Sequence, residues 1–399
     1  MNYNYIYWSL LYDKTEELII KDNSKVGLQN QIVNFQYSTI DGFISNGKQL
    51  KVLNCLCVGN YPFKYKKILI KEKKWDYRGV ECFDVGSINL PFFKQIVRTK
   101  KVFQKTEELI SMGCMNVIVM YSLYLPFLNA AKKLKEKYNN LIIVGIVPDL
   151  PSIYGVLPKN RIKRFVYKIY GDKVLKKSSC IDKYILLTRP MADILNAKCN
   201  FCVIDGLVNP NFSVQANLKK DNILLYTGSI DKVFGIDKLV ELMKYLPSDY
   251  QLWICGTGDY QSTLKEIIKR DSRIKYFGFV SKEESIQKQV TAKLLINPRE
   301  DIGEYVKYSF PSKTLEYLQS GTPIIMHKLS CLSDEYDRYI YYFSSNFPQQ
   351  MACNIKKICE LPDELLNKRG CLAKEFANNN KNCKQQVKKI INMVEEINV

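Results

Sequence analysis

The stretch Leu295-Ile296-Asn297-Pro298-Arg299, then an acidic, tyrosine-rich loop, then Tyr308-Ser309-Phe310-Pro311-Ser312-Lys313-Thr314-Leu315-Glu316-Tyr317-Leu318-Gln319-Ser320-Gly321-Thr322-Pro323-Ile324-Ile325-Met326 decides the fold. An aliphatic run opens it, helical spacing follows from Ser312 to Gln319, a glycine turns the chain, and a second aliphatic run closes it. That order is strand, helix, strand. The same alternation extends in both directions. Towards the N-terminus of this half, strands are expected near Asn222–Thr227, Gln251–Cys255, Ile274–Phe277 and Ala292–Ile296, and the closing run is Pro323–Met326. Helices are expected near Ile236–Leu246, Tyr260–Asp271, Lys282–Gln289 and Pro348–Cys359. Strands alternating with helices form parallel, doubly wound sheets.

The first half repeats the pattern. Strands fall near Leu50–Val58, Asn116–Met120, Leu141–Ile146 and Lys183–Leu187, with helices near Val26–Asn46, Pro91–Ser111, Leu123–Tyr138 and Asn160–Lys177. Val208–Lys220, with Pro210 and no clear period, reads as a linker. The expected organisation is therefore a Rossmann-like domain over 1–207, the linker 208–220 and a second Rossmann-like domain over 221–380. A terminal amphipathic helix over 381–399 carries Val387, Ile390, Ile391, Val394 and Ile397 on one face, and packs back towards the first domain. Open parallel sheets hold ligands beyond the carboxyl ends of their strands, so the loops after strands are where chemistry is sought.

With 399 residues, 46% hydrophobic and 25% charged, the chain is a globular protein, not a disordered or fibrous one. Its net charge of +19 is unevenly placed. Residues 1–205 hold 32 Lys+Arg against 17 Asp+Glu, whereas 206–399 hold 27 against 23. Lys64–Lys105 alone has twelve bases and four acids, and Lys159–Lys177 has eight bases and one acid. Such fields attract polyanions: nucleic acid, an anionic membrane or phosphorylated substrates.

Thirteen Cys without an N-terminal apolar signal segment point to reduced thiols and a cytoplasmic protein. Cys199-Asn-Phe-Cys202 has metal or redox spacing, but no second pair and no nearby His completes a zinc site, so both are expected as packing residues. No metal or other cofactor is expected. The longest apolar runs fall short of the roughly 20 residues that a spanning helix needs.

Two glycine turns follow strands of the second half: Gly228-Ser229, with Lys232 and Gly235 after it, and Gly256-Thr257-Gly258-Asp259. Such turns let backbone N–H groups approach a phosphate, though they also simply connect strands to helices. In the stretch quoted first, Ser312 can cap a helix whose positive end favours an anion, Lys313 adds a full charge, and Glu316 lies one turn on. A carboxylate there can accept hydrogen bonds from a vicinal diol while the helix start holds a diphosphate. A capped helix with an exposed Glu would look the same.

Gly256-x-Gly-Asp, Arg273-Ile-x-x-x-Gly278, Asn297-Pro-Arg and Ser309-Phe-Pro-Ser-Lys-x-x-Glu-Tyr-x-x-Ser-Gly-x-Pro, in that order, resemble the nucleotide-sugar domain of retaining glycosyltransferases of family four, also called group one. The resemblance implies the GT-B fold, α/β, with two Rossmann-like doubly wound domains facing a central cleft. It is strong over about Asn222–Met326 and collinear before it. Gly27 and Gln29–Gly47 look like the first loop and helix of an acceptor domain, and Pro148-Asp149-Leu150-Pro151 like its cleft loop. By resemblance Glu316 holds the ribose hydroxyls, and Ser312, Tyr308, Gly256, Gly258, Gly228 and Lys232 belong to the donor site.

Two positions depart from the family pattern. Tyr308 stands where the family commonly has its first Glu, and Gly228-Ser229 and Phe234-Gly235 stand where Gly-Arg and Lys-Gly clamp the diphosphate. Lys313 and Arg299 are the expected replacements ahead of Lys232, and Asp149 is the polar group of the acceptor side. The expected catalytic set is Asp149, Lys313 and Arg299. The single His, His327, follows a strand of the second half and is expected to be structural or at the rim.

In Asn160–Lys177, apolar residues at helical spacing sit among bases, with Arg161, Lys163, Arg164 and Lys168 facing an anionic bilayer. A solvated helix with its apolar stripe in the core has the same pattern. The function implied is sugar transfer from a nucleotide diphosphate sugar, UDP-sugar by family habit, to a lipid-linked or saccharide acceptor such as a polyprenyl-diphosphate-linked saccharide, in capsule, exopolysaccharide or O-antigen synthesis. The enzyme would work at the inner face of the cytoplasmic membrane. A non-catalytic GT-B partner protein or a nucleotide-sugar epimerase would share the fold. No nucleic-acid-binding module is visible.

Overall fold

The computed structural model describes residues 2–151, 160–209 and 221–396. The chain divides into two compact units, Met1–Leu207 with Cys383–Val399, and Val208–Asn382. In chain order the first unit contains β1 (Tyr3–Ser9), α1 (Glu17–Asn23), α2 (Asn30–Ser45), β2 (Leu50–Asn54), β3 (Leu69–Ile70), β4 (Lys73–Tyr77), β5 (Val80–Asp84), β6 (Ser87–Ile88), α3 (Pro91–Leu109), β7 (Met115–Tyr121), α4 (Leu125–Lys137), β8 (Leu141–Val147), α5 (Arg161–Ser178), β9 (Lys183–Leu186), α6 (Met191–Ile194) and β10 (Phe201–Val203). The second contains β11 (Ile223–Thr227), α7 (Ile236–Leu242), β12 (Gln251–Cys255), α8 (Gln261–Ile268), β13 (Ile274–Gly278), α9 (Lys282–Thr291), β14 (Leu294–Asn297), α10 (Lys313–Ser320), β15 (Ile324–Met326), β16 (Ile340–Tyr342), α11 (Pro348–Cys359) and α12 (Asp363–Asn380). The last helix, α13 (Cys383–Glu395), returns to the first unit.

The first sheet runs β10-β9-β8-β7-β1-β2-β5-β4, parallel except for the antiparallel hairpin β4–β5 at one edge. Its central strand β1 was not among the expected strands. Tyr5, Ile6, Tyr7 and Trp8 are all buried, so β1 has no alternating polar face and the run does not look like a half-exposed strand. The second sheet, β13-β12-β11-β14-β15-β16, is wholly parallel. β11 lies between β12 and β14, so the order reverses there and the carboxyl ends of these strands flank a switch point.

Two boundaries differ from expectation. Val208 is tied to the second unit, its N–H donating to the Lys381 carbonyl at 2.9 Å, while 210–220 lie outside the described residues. Lys381 and Asn382 lie between α12 and the last helix, which starts at Cys383. Val387, Ile390, Ile391 and Val394 of α13 are buried in the first unit's core with Tyr5 and Phe43. Its Glu395 accepts hydrogen bonds from Tyr5 Oη at 2.8 Å and Lys48 Nζ at 2.6 Å.

The basic field of Lys64–Lys105 is weaker at the surface than its sequence suggests. Lys73 pairs with Asp13 at 2.7 Å and Glu16 at 3.0 Å, Lys101 with Glu72 at 2.6 Å, and Lys105 with Glu108. Lys94 and Arg98 are buried. By contrast, the N-terminal half of α5 leaves its apolar stripe in solvent: Ile162 is 75% exposed, Phe165 64% and Ile169 53%. Only Gly171, Val174 and Ser178 of α5 are buried, so the core-facing alternative fails for its first half. All thirteen cysteines are free. Cys202 is half-buried in β10, while Cys199 is exposed, not a buried packing residue as expected. Among the described residues no helix is long and apolar enough to cross a membrane.

Candidate functional site

The switch point of the second sheet gathers most of the residues singled out from the sequence. The loops after β11 and β12 touch through their glycines. A Cβ on Gly256, whose φ is +136°, would stand 1.7 Å from the Gly228 carbonyl oxygen. Gly228 N–H donates to the Cys255 carbonyl at 2.9 Å, and Gly256 N–H to the Gly278 carbonyl at 2.7 Å. The glycines are therefore required by loop-on-loop packing. These two amides are already engaged, so they do not serve the direct phosphate contact that their sequence pattern allows. Gly258 is similarly constrained, because a Cβ there would meet Ile230 backbone and the Asp231 carboxylate at 2.5 Å.

Two cationic groups, Lys313 and Arg299, lie near these loops. The α10 start brings Lys313 Nζ within 3.1 Å of Thr227 Oγ1, at the end of β11 beside Gly228. Thr227 is held from below by the buried Tyr317, whose hydroxyl accepts the Thr227 N–H at 2.8 Å. Burial pushes the Tyr317 phenol far up, so it stays neutral. Ser312 departs from expectation. It is exposed, lies at helical φ and ψ and makes no side-chain cap, so the α10 N-terminus is left to its backbone and to Lys313.

Arg299 follows Asn297-Pro298, and that loop is seated on Gly235, where a Cβ would lie 2.4 Å from the Pro298 carbonyl oxygen. Arg299 is only 5% exposed. One guanidinium nitrogen, Nη1, donates to the Ser309 carbonyl at 3.2 Å, and the group lies 5.5 Å from the centre of the Tyr305 ring. Its Nε and Nη2 are buried without a partner. A buried guanidinium with two idle donors carries a large desolvation cost, which an incoming anion would offset.

Glu316, one turn into α10, accepts a hydrogen bond from Gln289 of α9. That partner fixes the carboxylate orientation, and nothing in the sequence around Gln289 announced it. Tyr308 ends a short 3-10 helix and is half-buried. Lys232 is exposed, with its ammonium 5.6 Å from the centre of the Tyr260 ring. Arg273 acts structurally: it donates to the Met243 carbonyl at 2.8 Å and the Leu246 carbonyl at 2.9 Å, fastening the start of β13. His327 packs against Phe343 with the ring centres 4.9 Å apart and the planes tilted by 44°, and burial lowers its pKa. Asp149, in the first unit, is exposed after β8, and Tyr121 of β7 senses its charge.

Residues 209–381 match the family described as glycosyl transferases group 1. That match covers nearly the whole of the second unit, Val208–Asn382. The chain as a whole has the GT-B fold of two Rossmann-like domains, and it is similar in structure to proteins of that fold. A sucrose-phosphate synthase from Thermosynechococcus elongatus matches with a TM-score of 0.65 at 13% identity over 99% of each chain. HepE of Anabaena, solved with UDP-glucose, matches at 0.60 and 12% identity over 99% of this chain and 100% of that one. TarM matches at 0.57 and 14% identity over 83% of this chain, which spans 64% of TarM's own length. At these identities the likeness carries the fold alone. No curated protein matches the chain in sequence.

Within the matched residues 209–381, Glu316 and Gln289 give a direct prediction. Glu316→Ala leaves the fold intact, because the carboxylate is half-exposed, but removes charged hydrogen bonds worth about 1.5–3 kcal/mol each to a bound diol. UDP affinity measured by calorimetry is expected to fall by about tenfold or more, with the melting temperature little changed. Unaltered UDP affinity would remove Glu316 from the site.

Proposed function

We propose that this glycosyltransferase is retaining and uses a UDP-sugar donor and a lipid-linked or saccharide acceptor in capsule, exopolysaccharide or O-antigen synthesis. The carrying observation is Arg299, a buried guanidinium with two idle donors on the loop before α10, near whose start Lys313 holds Thr227. In this reading the donor diphosphate meets Arg299, Lys313 and the positive end of α10, while Glu316 takes the ribose hydroxyls. The acceptor hydroxyl attacks the anomeric carbon from the face the diphosphate leaves, as the bond to the diphosphate oxygen breaks and that oxygen takes the hydroxyl proton. Charge growing on the departing oxygen is then stabilised by fixed cations and a helix dipole, with no covalent enzyme intermediate and no metal. Asp149 is assigned to the acceptor side.

UDP is favoured over GDP because HepE, of the same fold, was solved with UDP-glucose. Titration of the chain with UDP, GDP and CMP tests the donor: saturable binding of UDP alone supports it, and binding of GDP alone or of no nucleotide overturns it. Membrane association rests on α5, where exposed Ile162, Phe165, Val166 and Ile169 lie among Arg161, Lys163, Arg164 and Lys168. At about 1 kcal/mol per base near an anionic surface, replacing these four bases with Ala is expected to lower partitioning onto phosphatidylglycerol vesicles by a hundredfold or more at low salt. Equal sedimentation of variant and native chains would exclude α5 as the contact.

A further inference from the structure

The first unit holds two buried cations that the donor chemistry does not use. Lys94 and Arg98, one turn apart on α3, are 5% and 2% exposed. Lys94 Nζ donates to the Val58 carbonyl at 2.6 Å and to Asn60 Oδ1 at 3.3 Å. Arg98 donates to Ser87 Oγ at 3.4 Å, Tyr124 Oη at 3.1 Å and the Leu56 carbonyl at 2.8 Å. Among the described residues, none of these partners is a carboxylate. Both side chains line a cavity of 310 Å³ beyond the carboxyl ends of β1 and β2, closed on one side by the Gly27–Gln29 loop and bordered by exposed Lys64.

Two neighbouring charges in a low-dielectric pocket without a counter-ion repel each other, and hydrogen bonds to neutral oxygens offset only part of their desolvation. Burial and the Arg98 charge push the Lys94 ammonium down to about 7. The other titratable groups facing it, Cys55 and Cys57, are thiols that burial pushes up, so they offer no compensating negative charge near neutral pH. The walls are fixed. Cys55 N–H donates to the Ser9 carbonyl at 3.0 Å, Cys57 N–H to the Leu11 carbonyl at 3.1 Å, and Asn89 Nδ2 to the Gly59 carbonyl at 3.0 Å. A rigid pocket at a ligand-binding edge of a parallel sheet, lined by the buried Arg98 guanidinium and by Lys94, whose ammonium form an anion would favour, is built for an anion.

We propose that the Lys94–Arg98 pocket binds the phosphate or diphosphate group of the acceptor. This deepens the acceptor half of the reading above and rests on it for the acceptor's identity, although anion binding itself follows from the pocket alone. Gln95 lines both this cavity and a larger groove of 1050 Å³ along α3, α4 and α5, walled by Phe92, Ile96 and Phe103. A phosphate carried on a prenyl chain could therefore place its head in one and its tail in the other, whereas a sugar phosphate would use the pocket only.

The full-length chain is titrated with farnesyl diphosphate, inorganic pyrophosphate and glucose 1-phosphate in the presence of excess UDP, so that the α10 site is filled. Binding of at least one of these anions is expected. It should weaken by about a hundredfold in Lys94→Met and about tenfold in Lys64→Glu, and persist in Arg299→Met. The exposed Lys64 makes the second variant safe for folding. Farnesyl diphosphate binding at least tenfold tighter than pyrophosphate assigns a lipid-linked source, and equal or weaker binding assigns a water-soluble phosphate; both support the pocket. Failure of all three anions to bind the native chain, or native affinity in Lys64→Glu and Lys94→Met together, overturns it. A chain that binds these anions but no UDP keeps the pocket and loses the donor reading.

Discussion

Gly256→Ala is expected to unfold or misalign the donor site rather than merely weaken it. The new methyl group would stand 1.7 Å from the Gly228 carbonyl oxygen, and backbone, unlike a flexible side-chain end, cannot step aside cheaply. The residue's φ of +136° is also outside the range that Ala adopts without strain. Overpacking and strain each cost about 1–3 kcal/mol, so a loss of about 3 kcal/mol or more is expected in urea denaturation of the full chain. UDP binding should fall at least a hundredfold, because Gly228 and Thr227 adjoin the loop that must shift and Lys313 is anchored on Thr227. Native-like stability would show that the two loops do not approach as described. A tempting reading of this glycine is phosphate contact. The structure instead gives it a packing role, which predicts a stability loss even with no nucleotide present.

The alternation of apolar runs and helical periods made the parallel sheets legible, and the motif order pointed to the glycosyl transferases group 1 match over residues 209–381. What escaped shares a physical cause. β1 was hidden because both its faces are buried, so Tyr5–Trp8 carries no period of two. The hairpin β4–β5 read as charge, because Lys73, Lys74 and Glu81 dominate its edge and pair with neighbouring acids and bases. α12 buries Leu366, Gly370, Ala373 and Ala377, mostly small residues whose helical spacing adds little to a hydrophobic pattern. Lys94 and Arg98 looked like two more bases of a solvated patch, and only three-dimensional burial distinguishes them. In the site, Glu316 and Lys313 were readable from their motif. Gln289 was not, because it comes from α9 and reaches Glu316 only through the packing of one helix on another.

Arg299 separates a binding role from a structural one. In the unliganded chain its guanidinium makes one hydrogen bond, to the Ser309 carbonyl, lies over the Tyr305 ring and leaves Nε and Nη2 buried and idle. Its removal therefore relieves a desolvated charge while sacrificing a single bond. Replacing a buried, poorly paired ion with an apolar side chain of similar length is often neutral or stabilising. Arg299→Met is accordingly expected to keep the stability of the unliganded chain within about 1 kcal/mol of native, or to raise it. With UDP the balance reverses, because the guanidinium offers two donors in a planar fork to the diphosphate. Charge-assisted hydrogen bonds of that kind are worth about 1.5–3 kcal/mol each, so affinity should fall by roughly a hundredfold. Arg299→Lys should recover little of it, since a point charge on a flexible stem cannot reproduce the fork. Denaturation without nucleotide and calorimetry with UDP, on the same three proteins, decide the matter. A marked loss of stability with unchanged UDP affinity would make Arg299 a brace for the 297–309 loop and leave the diphosphate to Lys313 and the start of α10.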